Sequence, residues 1–323
     1  MPRHARLDAP GTLHHVILRG MEQGKIAHDR ADRAEFVRRL GEIATATEMV
    51  VYAWALLPNH AHLLIRSGPQ GLPRFMRRLL TGYAVYFNRR HKRHGHVFQN
   101  RYKSIVVEED AYFQQLVRYI HLNPLRARCV QSLPELDRYP WCGHATLVGR
   151  VRYPWMDRKY VLAWFGQGEA QAVRAYRAYV REGISLGRRP ELVGGGLIRS
   201  LGGWAEVRAV RRRQEPVLAD ERILGTGQFV EHMLRAGEER LQTARVRVER
   251  LQAAARLIRQ ACDQDNLSLE ELRLGSRRRA VRGVRSRLAT QLVRELGLSL
   301  ADAARQLGVS TSGISKALLR AGK

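Results

Sequence analysis

Cysteine, acidic residues and long apolar runs are all in short supply in this chain, and each shortage removes a class of function. The three cysteines, Cys129, Cys142 and Cys262, form no CxxC pair, and none lies at zinc-site spacing beside a histidine. A disulfide framework and a thiolate metal centre are therefore excluded, and free thiols in a reducing compartment are expected. No segment approaches the roughly 18 to 20 consecutive apolar residues that a membrane span needs. The basic N-terminus, Met1 to Arg6, runs into a turn at Pro10-Gly11 instead of an apolar stretch, so it does not read as a secretory signal. The expectation is a cytoplasmic, nucleoid-associated protein with no membrane partner.

The shortage of acid is the more informative. Lys and Arg total 56 against 30 Asp and Glu, a formal charge of +26 over 323 residues. Residues 1–150 alone carry 23 basic against 12 acidic side chains, so the excess is not a tail. A folded chain with this field repels itself, and a polyanion is the usual partner that offsets the repulsion. Nucleic acid is the expected partner. With 45% hydrophobic and 27% charged residues, the chain is otherwise of ordinary globular composition and long enough for two or three domains.

Residues 12–19 read as a strand opened by the Pro10-Gly11 turn, and Asp29 or Asp32 can cap a helix running to about Thr47. A β-rich run near 49–57, the turn Pro58-Asn59 and a short strand at 60–66 suggest a hairpin. A helix near 72–90, a strand near 97–107 and a helix from about 109 to 122, stopped at Asn123-Pro124, complete the pattern. This order predicts an α+β domain over residues 1–130, a ferredoxin-like antiparallel sheet with its helices largely on one face. Residues 131–185 read as a helical extension, 186–216 as a linker marked by Gly194-Gly195-Gly196, and 217–323 as an all-α region. The arginine runs at 211–213 and 277–279 suit phosphate contacts or solvated helix surface equally well.

Two residue sets carry chemistry. On a strand, positions two apart share a face, so His60 and His62 converge as two imidazole ligands for a divalent ion; an isolated His-x-His is also common as a polar strand end. A second pair, His94 and His96, flanks a glycine in a basic loop and is set aside as a metal site. On the helix over 109–122, Tyr119 lies at the edge of the apolar stripe Phe113, Leu116, Val117 and Ile120, and Asn123 follows four residues on, one turn further along the same face. A phenol and an amide carbonyl can thus meet at one place, although a tyrosine so placed also suits simple packing. Tyr112, two turns earlier, is assigned to packing.

Together, Pro58-Asn59-His60-Ala61-His62-Leu63-Leu64, Gly95-His96-Val97-Phe98-Gln99-Asn100-Arg101-Tyr102-Lys103-Ser104 and Tyr119-Ile120-His121-Leu122-Asn123-Pro124-Leu125 resemble the REP-associated tyrosine transposases, of the HUH single-tyrosine superfamily. The opening Ala9 to Val16 is similar as well, and the motifs stand in the family's order across residues 1 to about 130. The resemblance implies an enzyme that cuts single-stranded DNA at hairpin-forming palindromic repeats. Tyr119 would be the nucleophile, leaving a 5′-phosphotyrosine and a free 3′-hydroxyl, and His60, His62 and Asn123 would hold Mg²⁺ or Mn²⁺. A homodimer is compatible with it. Arg101 and Lys103, alternating on a strand, are expected to share a face and track the DNA backbone; Phe98 is expected in the core, and Tyr102 suits either the core or base stacking.

Residues 299–319 have helix-turn-helix form. Ser299 caps the first helix, Gly308 suits the turn, Val309 plugs the core and Ser310 caps the second helix. Thr311, Ser312, Ser315 and Lys316 would then face duplex flanks. Two other classes compete: a sequence-specific DNA-binding regulator with an inactive nuclease domain, and a water-using metal hydrolase. The intact His60, His62, Tyr119 and Asn123 argue against the first. The second would want more carboxylates than Glu108, Glu109 and Asp110, for which helix capping suffices.

Overall fold

The structure, a computed structural model, describes residues 7–99, 101–187, 189, 192, 220–274, 276 and 278–320. Most of the segment read as a linker, with its glycine triplet and the arginine run at 211–213, lies outside the described residues, as do Asn100 and Arg277. The chain forms two compact units, Met1–Leu234 and Arg235–Lys323.

The first unit opens with β1 (Leu13–Arg19), α1 (Arg30–Ala46), β2 (Val50–Leu56), β3 (His60–Arg66), α2 (Leu72–Arg90), β4 (Lys103–Val107) and α3 (Glu109–His121). Asp29 caps α1 by accepting from the Asp32 amide, which satisfies one of the orphan donors of the first turn. The sheet order is β2-β3-β1-β4-β5, and β1 pairs antiparallel with both β3 and β4. The fifth strand, β5 (Ile223–Leu224), lies parallel to β4 and comes from a stretch assigned by sequence to the helical C-terminal region. Glu108 secures it: its backbone amide donates to the Leu224 carbonyl at 2.8 Å and its carboxylate accepts from the Thr226 amide at 2.6 Å. Glu108 is therefore a clamp on β5, not a helix cap.

Helices cover both faces of the sheet, where the sequence suggested one. Trp54 of β2 lies opposite Leu63, and its ring packs on Trp155 at 5.6 Å. Trp155 in turn closes on Gly41 of α1, where any Cβ would collide with the indole. Helix α2 joins α1 on that side, Tyr83 meeting Phe36 edge to face at 5.1 Å. The other face carries His62 and Arg66, and α3 lies over it. Arg66 pairs with Glu109 at 2.5 Å, and Tyr52 meets Phe113 at 5.3 Å. The cause is visible in β1 and β3, buried along nearly their whole length without alternation. Strands apolar on both sides require a cover on each.

Beyond α3 the chain forms α4 (Asn123–Arg126), α5 (Leu133–Arg138), α6 (His144–Leu147), α7 (Arg158–Ala163) and α8 (Glu169–Glu182). A buried polar chain ties α3, α5, α6 and α8 together. Tyr176 Oη lies 2.7 Å from both His121 Nδ1 and His144 Nδ1, and His144 Nε2 lies 2.9 Å from Asp137.

In the second unit, the later part of the long helix Gly227–Gln264 packs with four shorter helices around Ile258, Leu272, Val284, Leu288, Leu307 and Ile314. Ser299 accepts from the Asp302 amide at the start of the helix Leu300–Leu307. Gly308 then takes a left-handed conformation (φ 66°), and a Cβ there would strike the Arg273 carbonyl, so glycine is required. Val309 packs on the core, and Ser310 Oγ accepts from the Gly313 amide at 3.1 Å at the head of the helix Thr311–Arg320. Thr311, Ser312 and Lys316 are exposed on that helix and Ser315 is half-buried. Among the described residues, no helix is long and apolar enough to cross a membrane.

Candidate active site

β3 begins at His60, and the two-residue period of a strand sends His60 and His62 to one face. Their rings stand edge to face with centroids 5.2 Å apart. On the same face α3 brings Tyr119 to 5.7 Å from the His62 ring, again edge to face. Asn123 follows one turn later, buried, with its amide nitrogen donating to the Tyr119 and Ile120 carbonyls at 2.9 and 3.3 Å. That use of the nitrogen leaves the side-chain carbonyl oxygen as the group Asn123 can offer to an ion. All four residues line one cavity of about 680 Å³, together with Arg19, Asn59, Arg126 and Arg189.

Hydrogen bonding fixes how the imidazoles are presented. His60 Nδ1 lies 2.7 Å from Asn59 Oδ1, which can only accept, so Nδ1 carries the proton and Nε2 keeps its lone pair. His62 Nδ1 lies 2.9 Å from His15 Nε2 in a buried pair. When His62 donates there, its Nε2 too is left with a lone pair. Burial, helped by the nearby Arg19 charge, pushes the His60 pKa down to about 4. Burial, then the neighbouring His15, His60 and Arg19, drives that of His62 well below the usual histidine range. Both rings are neutral at pH 7, the form that binds metal. Two neutral imidazoles and an amide oxygen suit a cation of intermediate preferences such as Mn²⁺, while the harder Mg²⁺ would rely more on water and phosphate oxygens to complete its shell. Among the described residues no cluster of three His, Cys, Asp or Glu side chains forms a protein-only cage.

Lys103 opens β4 opposite Ile17, itself opposite His62, so Lys103 lies on the cavity's face of the sheet. Arg101 does not share it: it sits in a bend before the strand and lines a separate groove along α2 with Phe98, Tyr102 and His96. The expected alternation fails because β4 starts at Lys103, six residues later than the strand expected near 97–107. Phe98 is buried, as expected, and Tyr102 packs on the core's edge while lining that groove. His94 and His96 are exposed in the turn after α2. Tyr112 is half-buried, and burial raises its pKa, as suits a packing residue.

Sequence reasoning missed His15 and Arg126. His15 sits two residues before Ile17 on β1, and the alternation that places Ile17 opposite His62 turns His15 to the same face. Arg126 is seven residues after Tyr119, two helical turns, and its guanidinium lies 5.4 Å from the Tyr119 ring. Both spacings were visible in the sequence, but strand register and the resumption of helix after Asn123 were not.

A family model described as "Transposase IS200 like" matches residues 11–123. No curated protein matches. Among solved structures, a REP-associated tyrosine transposase bound to a REP hairpin aligns with 48% of this chain and 89% of its own, at 17% identity and a TM-score of 0.38. The family match spans the strands and helices that supply every cavity residue except Arg126, Ala127 and Arg189. Over residues 11–123, then, this chain is similar to the IS200-like transposases.

Proposed function

We propose that this chain is a metal-dependent, transposase-type single-strand DNA endonuclease and strand transferase that works through a 5′-phosphotyrosine intermediate. The observation that carries the reading is the convergence of Tyr119, His60, His62 and Asn123 on one cavity within a single chain. An inactive DNA-binding regulator has no use for that convergence, and a water-using hydrolase has no use for the phenol.

His60 and His62 through Nε2, and Asn123 through its carbonyl oxygen, would hold Mg²⁺ or Mn²⁺, which when bound polarises the scissile phosphate and offsets charge gathering on its oxygens. Tyr119 supplies the nucleophile. A phenol is a weak nucleophile near its ordinary pKa of ~10, so it needs a cationic neighbourhood and a fixed line of attack. The edge-to-face packing against His62 and His15 supplies the second by restricting the ring. A tyrosyl ester conserves the energy of the broken phosphodiester, so rejoining to a 3′-hydroxyl needs no nucleotide.

The family resemblance points to hairpin-forming palindromic repeats as substrate, in a domain of ferredoxin-like type, and the chain's formal charge of +26 suits a polyanion. The paired helices around Gly308 would act as a helix-turn-helix on duplex flanks, through Thr311, Ser312, Ser315 and Lys316, while Lys103 would touch the backbone near the cavity. The residues of the cavity come from one chain, so a homodimer would serve DNA handling rather than completion of the site.

The test is incubation with single-stranded hairpin oligonucleotides and Mn²⁺, followed by denaturing gels. A detergent-stable protein–DNA adduct is expected from the wild type and none from Tyr119→Phe, with EDTA abolishing it. An adduct retained in Tyr119→Phe would refute the nucleophile, and cutting that persists in EDTA would refute the metal.

A further inference from the structure

Arg126, at the end of α4, lines the cavity together with the imidazoles of β3. Its Nε and Nη1 are buried and have no hydrogen-bond partner among the described residues, and Nη2 makes one long contact, 3.5 Å, to the Gly183 carbonyl. The cation lies over the Tyr119 ring, 5.4 Å from its centre. Three arginines and two histidines line the cavity, and no carboxylate does among the described residues. Burial, reinforced by the Arg118 and Arg189 charges, pulls the Arg126 pKa down despite the opposing effect of Tyr119.

A guanidinium cannot escape such surroundings by losing its proton, so two buried nitrogens without acceptors among the described residues carry a standing penalty. An anion entering the cavity would remove it. Nε and one Nη form a planar fork whose two N–H groups match a pair of phosphate oxygens. Arg118, half-buried on α3, differs: its guanidinium stacks on Tyr179 at 4.0 Å.

We propose that Arg126 is a catalytic residue that grips the non-bridging oxygens of the scissile phosphate beside Tyr119. This rests on the tyrosine-nuclease reading. In the step, the Tyr119 oxygen forms a bond to phosphorus while the bond from phosphorus to the 3′-oxygen breaks. The phenolic proton passes to solvent, the departing 3′-oxygen takes one from solvent, and no electrons change hands. Arg126 holds the non-bridging oxygens as they gather charge, leaving the bridging oxygens free.

The experiment compares wild type, Arg126→Gln and Arg126→Lys on a hairpin oligonucleotide whose scissile group is either the phosphodiester or an uncharged methylphosphonate. Single-turnover adduct formation by Arg126→Gln is expected to fall about 100-fold on the diester, the order found on removing one transition-state donor. On the methylphosphonate it is expected to fall less than about 10-fold, and Arg126→Lys to recover part of the diester rate. Equal losses on both substrates would make Arg126 structural and overturn the inference while leaving the tyrosine chemistry intact. Binding is measured in parallel in a Tyr119→Phe background, where Arg126→Gln is expected to weaken affinity for the diester hairpin and not for its methylphosphonate twin. That difference without any wild-type adduct would keep the phosphate grip and refute the tyrosine reading; its absence would refute the grip.

Discussion

His15 Nε2 and His62 Nδ1 stand 2.9 Å apart, buried between β1 and β3, in a hydrogen bond that crosses 47 residues of sequence. A histidine that ligates metal through one nitrogen usually commits the other to a fixed partner, which sets the tautomer and holds the ring. Here the partner is a second imidazole instead of a carboxylate. His15→Ala is expected to weaken Mn²⁺ binding about 10- to 100-fold, the range for such outer partners, with folding preserved. Titration followed by the electron paramagnetic resonance of free Mn²⁺ reads this directly. An unchanged dissociation constant would mean that His62 is oriented by packing alone.

The chain His121–Tyr176–His144–Asp137 fixes the end of the tyrosine helix to α8, α6 and α5. One hydroxyl serves two imidazole nitrogens, each at 2.7 Å and fully buried. Tyr176→Phe removes the hydroxyl, keeps the ring and leaves two buried polar atoms unpaired, an expected loss of about 1–3 kcal/mol for each group stranded. Denaturant unfolding followed by tryptophan fluorescence reports on the first unit, because all five tryptophans precede residue 235. A midpoint within error of wild type would show that water satisfies both imidazoles.

Acid should destabilise the first unit in two steps. Burial, partly opposed by Asp137, lowers the His144 pKa in the folded state. The unfolded chain therefore takes up this proton first as pH falls below about 6.5, and stability declines from there. Asp137 is held at about 2 by His144 and Arg177, against the cost of its burial. Its contribution is complete above about 3.8 and disappears as pH falls through 2. Tryptophan-monitored melting in EDTA should show Tm falling between pH 7 and 5, with a shallower slope in His144→Gln. The slope should not vanish, because burial depresses His62 and His121 in the same sense. A pH-independent Tm above pH 5 would contradict the assignment.

What could be read from sequence divides along the range of the interactions involved. His60 and His62 share a face because of a two-residue period, and Tyr119 meets Asn123 because of a four-residue one; both are local, and both are found as expected. The site of α3 was not legible. Whether a helix lies above or below a sheet depends on which faces of β1 and β3 are already covered, and those strands carry apolar residues on both. β5 is two residues long and joins the sheet from more than a hundred residues downstream, held by Glu108 and not by any strand signal of its own. Arg101 was misplaced for a related reason: the β-rich run before Lys103 is used in a bend and a single bridge from Phe98 to Gly20, so alternation counted from Val97 has no register to follow. His15 and Arg126 needed tertiary placement before their chemistry had a partner.

The C-terminal helix pair offers a separable prediction. Lys316 is exposed on the helix Thr311–Arg320, capped by Ser310, with Ile314 as its buried anchor. If this helix enters a major groove, Lys316 contributes charge toward phosphate, and Ser315 lies beside it for closer contact. Lys316→Ala is then expected to weaken duplex binding across all sequences and to reduce by about one the steepness with which log affinity falls with log salt. Nicking of single-stranded hairpins without duplex flanks should be unaffected, since the cavity residues all precede position 190. Fluorescence anisotropy over a salt series supplies the slope. An unchanged slope, with circular dichroism confirming an intact helix, would place the duplex contact elsewhere on this basic chain.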